Sequence, residues 1–167
     1  MRFWLGAVFL LVVSVLAYRV SPVRIAYSMD YSLPYKWWLE VEPFRDPKAG
    51  DYVLIKPPVE NEYTKGKLLV KKVVCSEGDY IRTEGLDFYC NGNYLGRART
   101  ADSKGRPVKP VELNQYIGRG CYFVMGEHER SYDSRYFGLV PRENVLKLEY
   151  PLSTFPDLDF IFARREK

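Results

Sequence analysis

Two adjacent lysines interrupt an apolar stretch of the chain and could supply a base. Lys71 and Lys72 lie within Leu68–Cys75, a run rich in β-branched residues. Successive side chains of a strand point to opposite faces, so one of the two lysines is expected to face inward. Loss of solvation favours the neutral amine, and a neutral lysine can take a proton from a serine hydroxyl. The alternative is that both lysines are solvated on an edge strand.

The remaining composition excludes several kinds of site. The chain of 167 residues has a single histidine, His128, and a net charge of +4 that is spread along the sequence. A zinc hydrolase needs more imidazoles or cysteines at ligand spacing, and a Ser-His-Asp site would depend on His128 alone. The sequence has no glycine-rich phosphate loop and no dinucleotide-binding motif. We therefore expect no metal, no cofactor and no nucleic-acid partner.

The three cysteines, Cys75, Cys90 and Cys121, leave the redox state open. In an exported domain they allow one disulfide and one thiol. Three buried thiols are the alternative. The sequence assigns no pairing.

Four blocks of the chain resemble the type I signal peptidase family of membrane-anchored serine proteases. They are Ser-Leu-Pro at 32–34, Gly-Asp-Tyr-Val-Leu-Ile at 50–55, Lys-Lys-Val-Val at 71–74 followed by Gly-Asp at 78–79, and SYDSRYFGLVP from Ser131. The chain looks closest to the conjugative-transfer branch, which matures plasmid pilin subunits. The resemblance extends from the amino-terminal helix to about Tyr150, and residues 83–118 match loosely.

The resemblance implies a role for five residues. Ser32 corresponds to the nucleophile and Lys71 to the base. Ser131 falls where a hydroxyl orients the lysine. Asp133 and Arg135 fall where the family keeps an ion pair that supports the site. His128 is expected to have a loop or packing role.

Two departures from the family pattern concern the nucleophile segment. General signal peptidases read Ser-Met-x-Pro there, whereas Ser32 is followed directly by Leu-Pro. Ser28-Met29 is an alternative, but Tyr31 occupies its proline position. Asp30 stands where the family usually has a hydroxyl that binds the oxyanion. An ionised Asp30 cannot donate a hydrogen bond, so either it is protonated or Ser32 N–H works with another donor.

An apolar amino-terminal segment predicts a membrane anchor. Phe3–Tyr18 carries no charge and is bracketed by Arg2 and Arg19. As a helix it would be roughly 24 Å long at ~1.5 Å per residue, slightly short of the hydrocarbon core. A cleavable signal peptide is the rival interpretation. We expect an uncleaved anchor over residues 1–20.

The rest of the chain, residues 21–167, predicts one β-rich catalytic domain with a loosely matching insert at 83–118. The expected fold class is mainly β, a signal-peptidase-type sheet behind one transmembrane helix. Asn91-Gly92 between apolar residues predicts a hairpin, and Thr100–Pro110 predicts an exposed loop. Strands are expected at Asp51–Lys56, Leu68–Cys75, Cys121–Met125 and Asn144–Tyr150.

These observations predict a serine endopeptidase with a Ser/Lys dyad at the bacterial inner membrane, its catalytic domain on the periplasmic side. The expected partners are the lipid bilayer and a membrane-bound precursor such as a pilin, which is cleaved and, in one variant of the reaction, cyclised. A general signal peptidase and a non-catalytic scaffold of an envelope secretion complex are the alternatives. Tyr35, Trp37, Trp38 and Phe44 either seat the domain at the membrane or pack in the core.

Overall fold

The computed structural model describes residues 2–29 and 32–152. In this part of the chain β-strands predominate, which confirms the mainly β fold class. The elements in chain order are α1 (Arg2–Val20), β1 (Val23–Tyr27), β2 (Trp37–Val41), β3 (Tyr52–Ile55), β4 (Leu69–Cys75), β5 (Tyr80–Glu84), β6 (Asp87–Cys90), β7 (Asn93–Arg97), β8 (Asn114–Tyr116), β9 (Cys121–Met125), α2 (Ser134–Phe137), β10 (Val140–Pro141), a 3₁₀ turn (Arg142–Asn144) and β11 (Val145–Pro151).

The strands form two antiparallel sheets. The larger sheet has the order β1-β2-β11-β3-β4-β9-β10, and the smaller has the order β7-β6-β5-β8. Strand β11, the last strand in the described part of the chain, therefore lies between β2 and β3 in the sheet. It is far from both of these strands in sequence. This placement sets Glu149 opposite Glu40 of β2 and opposite Tyr52 of β3.

Strand β4 has the alternation that its sequence predicts. Lys71, Val73 and Cys75 are buried, whereas the residues between them are partly exposed. Lys71 is 1 % exposed. Lys72 points to the other face, where its Nζ lies 3.3 Å from a carboxylate oxygen of Glu127. The expectation that one of the two lysines faces inward is confirmed for Lys71.

Strand β9 contributes to both halves of the core. Tyr122 and Val124 pack in a cluster with the buried residues of β3, β4 and β11. Phe123 and Met125 pack on the opposite side, with Ile81, Phe88 and other residues of the smaller sheet. A strand that is buried on both faces should be apolar without alternation, and Cys-Tyr-Phe-Val-Met fits that requirement.

A disulfide joins the two sheets. Cys75 at the end of β4 is bonded to Cys90 at the end of β6, and Cys121 is a free thiol. The sequence had allowed this outcome without assigning the pair. Asp79 lies within reach of both sulfurs, but sulfurs joined to each other are not thiolate ligands for a metal.

The predicted hairpin is confirmed at its turn. Asn91 and Gly92 connect β6 to β7 with φ of 50° and 82°. Two consecutive positive φ angles are what an Asn-Gly hairpin turn requires. The predicted loop at Thr100–Pro110 is also present, and the carboxylate of Asp102 organises it by accepting hydrogen bonds from the backbone of Lys104 and Arg106.

The predicted amino-terminal helix is present as α1, but the predicted transmembrane span is not supported. Among residues 2–29 and 32–152, none of the helices is both long enough and apolar enough to cross a membrane. The division into an anchor over 1–20 and a domain over 21–167 stays a prediction, and residues 153–167 lie outside the described part.

The aromatic residues that follow Ser32 were expected either to pack in the core or to seat the domain at the membrane. Trp38 is 1 % exposed, and its ring contacts the rings of Tyr35 and Tyr52. Trp37 and Phe44 are instead largely exposed. Core packing therefore accounts for Trp38, whereas Trp37 and Phe44 remain on the surface.

Candidate functional site

Ser32 lies in the turn between β1 and β2 and is almost fully buried, at 5 % exposure. Its carbonyl oxygen accepts a hydrogen bond of 3.0 Å from the backbone N–H of His128. Leu33, the next residue, is buried as well. The neighbouring contacts thus hold the backbone of this turn against the loop that follows β9.

Lys71 reaches Ser32 from the interior of β4. Its Nζ lies 2.5 Å from Ser32 Oγ, and the hydrogen bond is buried. A neutral amine at this distance can accept the hydroxyl proton, so the geometry suits a nucleophile and its base. Ser28, the alternative nucleophile, lines the same cleft as Ser32, and its backbone N–H donates to the carbonyl of Lys36.

Ser131 provides a second side-chain contact to the hydroxyl of Ser32. Its hydroxyl donates to Ser32 Oγ over 3.4 Å, and the residue is 4 % exposed. The family resemblance had assigned this hydroxyl to the lysine. In the structure it donates to Ser32 Oγ, which is also hydrogen-bonded to Lys71 Nζ.

Gly126 makes the approach of the two serines possible, and sequence reasoning missed it. A Cβ at this position would lie 2.3 Å from Ser131 Oγ and 2.9 Å from the carbonyl oxygen of Ser32. Both distances are shorter than real Cβ contacts, and the second involves backbone, which cannot rotate away. The available signal was a glycine between an apolar strand and the loop that leads to Ser131.

Asp133 and Arg135 form a buried, bidentate ion pair beneath this contact. Arg135 Nε and Nη2 each donate over 2.8 Å to the two carboxylate oxygens of Asp133. Asp133 also accepts from Gly126 N–H at 3.0 Å, and Arg135 Nη2 donates to the carbonyl of Ser131 at 3.3 Å. The pair therefore fixes the backbone on both sides of the serine contact, in the place where the resemblance implied an ion pair.

His128 contributes through its backbone. The N–H bonds to Ser32, and the carbonyl accepts from Ser131 N–H at 3.0 Å. The imidazole Nδ1 accepts from the N–H of Arg130 at 3.1 Å within the same turn. This arrangement agrees with the expected loop role.

A cleft of about 690 Å³ opens beside Ser32, Lys71 and Ser131. It extends across the larger sheet to Trp38, Glu40 and Glu149, and sequence reasoning did not identify this end. Glu149 is 3 % exposed. Burial, together with the nearby charge of Glu40, raises the pKa of Glu149 to about 8. Asp30, which the sequence placed at the oxyanion position, lies outside the described residues.

Comparisons with known proteins found one matching family and several relatives. Residues 1–149 match the model of a family described as signal peptidase, peptidase S26. The conjugal transfer protein TraF of Agrobacterium fabrum (strain C58 / ATCC 33970) is 32 % identical over 143 residues, which cover 74 % of this chain and 79 % of the relative.

More distant relatives share part of the chain. A probable thylakoidal processing peptidase 2 of Arabidopsis thaliana is 28 % identical over 110 residues, 62 % of this chain, and the match spans only 28 % of that protein. Among solved structures, a signal peptidase I (EF3073) from Enterococcus faecalis V583 has a TM-score of 0.41 and 24 % identity, covering 62 % of this chain and 97 % of that one.

Proposed function

This chain belongs to the signal peptidase family, peptidase S26, and we propose that it is a serine endopeptidase that uses Ser32 as nucleophile and Lys71 as general base. The observation that supports the proposal most directly is the buried contact of 2.5 Å between Lys71 Nζ and Ser32 Oγ. A lysine is costly to bury, so its burial against a hydroxyl calls for a chemical reason.

The proposed reaction has two stages. Neutral Lys71 takes the proton as Ser32 Oγ attacks the scissile carbonyl carbon, and the same proton then passes to the leaving amine as the peptide bond breaks. Water next attacks the acyl carbon as Lys71 takes its proton, and Lys71 returns that proton to Ser32 Oγ as the Ser32–acyl bond breaks. The backbone N–H of Ser32 is the donor we assign to the oxyanion. If the substrate's own amine replaces water, the product is cyclic.

The substrate we propose is an exported precursor, in particular a conjugative pilin. The identity of 32 % to a conjugal transfer protein over most of both chains supports this choice. A general signal peptidase is the second candidate, favoured by the family description and by the similarity to a thylakoidal processing peptidase. A panel of secreted precursors separates the two, because broad cleavage would contradict a dedicated pilin peptidase. The product mass distinguishes hydrolysis from cyclisation, since the cyclic chain is lighter by one water.

The location we propose is the bacterial inner membrane, with the β-rich domain on the periplasmic side. Exposed apolar side chains of α1, including Trp4, Phe9 and Leu10, support attachment to a lipid bilayer. Cell fractionation tests this proposal. Recovery of the full chain in the soluble fraction would contradict it.

Matched variants test the proposed dyad against a non-catalytic scaffold. Ser32→Ala and Lys71→Met should each abolish precursor cleavage, because each removes one member of the proton transfer. Ser28→Ala and Lys72→Met are the controls, since they change the same residue types a few positions away and should retain activity. Unchanged processing in Ser32→Ala and Lys71→Met would contradict the proposed mechanism.

A further inference from the structure

The acidic end of the cleft contains a buried carboxyl group without a partner. Both carboxylate oxygens of Glu149 are buried, and no hydrogen bond reaches either of them from the described residues. Most buried polar groups are hydrogen-bonded, and an unpaired one costs stability. Such a group in a cleft points to a ligand that is absent when the chain is alone.

A second orphaned polar atom lies in the same cleft. The indole Nε1 of Trp38 is also buried without a hydrogen bond from the part of the chain that the structure describes. Trp38 and Glu149 both line the cleft that contains Ser32 and Lys71. One unpaired donor and one unpaired acceptor therefore belong to residues that line the same cleft.

The strand register adds a second carboxyl group at this end. Glu149 of β11 lies directly opposite Glu40 of β2. Acidic side chains in this position repel each other and destabilise a sheet. The neighbouring cations have other partners: Lys147 pairs with Glu42, and Lys72 lies 3.3 Å from Glu127. Among the described residues no cation bonds to Glu149, although Lys67 and Arg130 also line the cleft.

We infer that Glu149, together with Glu40, forms a substrate subsite that binds a basic side chain of the precursor. An ammonium or guanidinium group there would pair with Glu149 and remove the repulsion from Glu40. A charge-assisted hydrogen bond of this kind is among the stronger polar contacts in proteins. The inference rests on the proposed function, because it places the subsite next to the dyad.

Short acetylated and amidated Ala/Ser peptides that carry one lysine at each successive position test the subsite, with norleucine peptides as uncharged controls. At one position in the series, lysine should raise kcat/KM of the full chain. The expected kcat/KM is about tenfold to a hundredfold higher than for the peptide with norleucine at that position. Glu149→Gln should bring the ratio of kcat/KM between the lysine and norleucine peptides close to one. Glu60→Gln, the same change on an exposed residue outside the cleft, should keep the preference for lysine.

Binding to Ser32→Ala, measured by fluorescence anisotropy, separates failure of the subsite from failure of the dyad. Cleavage with no preference for lysine at any position would overturn the proposed subsite but not the proposed peptidase activity. If Glu149→Gln kept the preference for lysine, the proposed subsite would also be overturned and the peptidase activity would stand. Absence of cleavage, together with tighter binding of lysine peptides to Ser32→Ala than to Ser32→Ala/Glu149→Gln, would support the subsite and overturn the peptidase. Equal binding of lysine and norleucine peptides would contradict the subsite.

Discussion

Gly126 lies where the turn that carries Ser32 meets the loop that carries Ser131. The missing side chain allows both hydroxyls and the carbonyl of Ser32 to occupy the same small volume. The site therefore depends on a residue that has no chemistry of its own. The position of Ser32 relative to Ser131 therefore depends on close packing as well as on hydrogen bonds.

Gly126→Ala should inactivate the protein without unfolding it. The added Cβ would displace Ser131 or Ser32, and a shift of about 1 Å at a reacting group can lower the rate about a hundredfold. The measurement is kcat/KM on the precursor, with the thermal midpoint recorded in parallel. Gly118→Ala is the control, because a Cβ there meets nothing within 4 Å. Equal activity of the two variants would show that the close approach does not matter.

Glu149 should make the stability of the protein depend on pH. Its pKa is raised from 4.5 to about 8 in the folded state, so the folded chain binds more protons than the unfolded chain between these values. Stability is then fully present below about 4.5 and falls as the pH rises through about 8. The groups that face Glu149 are Glu40 on β2, Tyr52 on β3 and Lys147 on its own strand.

Glu149→Gln should flatten this dependence. Thermal midpoints measured from pH 5 to pH 9 should fall less steeply in the variant than in the parent chain, and the variant should be the more stable protein at the alkaline end. Glu60→Gln should keep the parent's slope. If Glu149→Gln and the parent had the same slope, Glu149 would not be the group that titrates.

At the scale of elements, the short helix α2 and the residues before it act as one unit. Asp133 caps α2 by accepting from Arg135 N–H, and the Ser134 hydroxyl accepts from Val124 N–H of β9. The ion pair between Asp133 and Arg135 extends the unit to Gly126 and to the carbonyl of Ser131. The unit therefore sets where the Ser131 hydroxyl stands relative to β4.

Asp133→Ala should destabilise the fold and lower activity together. Removal of one partner leaves Arg135 buried and unpaired, which typically costs about 3–5 kcal/mol. Denaturant unfolding measures the loss. Glu84→Ala, which breaks the exposed pair with Arg82, should change the free energy of unfolding by less than about 1 kcal/mol. Similar losses in both variants would contradict a special role for the buried pair.

At the scale of the molecule, the chain holds two sheets together through β9 and through one disulfide. The bond between Cys75 and Cys90 closes a loop with a sequence separation of 15. It joins the strand that carries Lys71 to the smaller sheet.

Cys75→Ser/Cys90→Ser should lower the free energy of unfolding by about 3 kcal/mol, the value for a loop of this length. Cys121→Ser, which removes a thiol outside the bond, is the control and should have little effect on the unfolding transition. Denaturant unfolding in the absence of reductant measures both. A larger loss in Cys121→Ser than in the double variant would mean that the disulfide does not stabilise the fold.

The sequence was sufficient for the features that depend on local pattern. Alternation in β4 predicted that one of the two lysines faces inward, and Asn91-Gly92 predicted a hairpin. Motif resemblance then selected Ser32, Lys71 and Ser131, and the structure brings these residues together. Each of these features is encoded within a few consecutive residues.

The features that were missed depend on contacts between distant segments. Glu149 is buried because β11 inserts between β2 and β3, and no local pattern specifies that order. The disulfide pairing depends on the packing of one sheet against the other in the same way. Strands β1 and β2, which the sequence did not predict, are short and mix polar with apolar residues. The sequence of either strand alone is therefore only a weak indication of a strand.

The most direct test of the central claim is to trap the acyl-enzyme. The full chain is mixed with the precursor, quenched in acid and digested, and the fragments are examined by mass spectrometry. The proposed mechanism predicts an acyl group on the peptide that contains Ser32, present in Lys72→Met and absent in Ser32→Ala and Lys71→Met. An acyl group on another residue, or one that forms equally well in Lys71→Met, would contradict it.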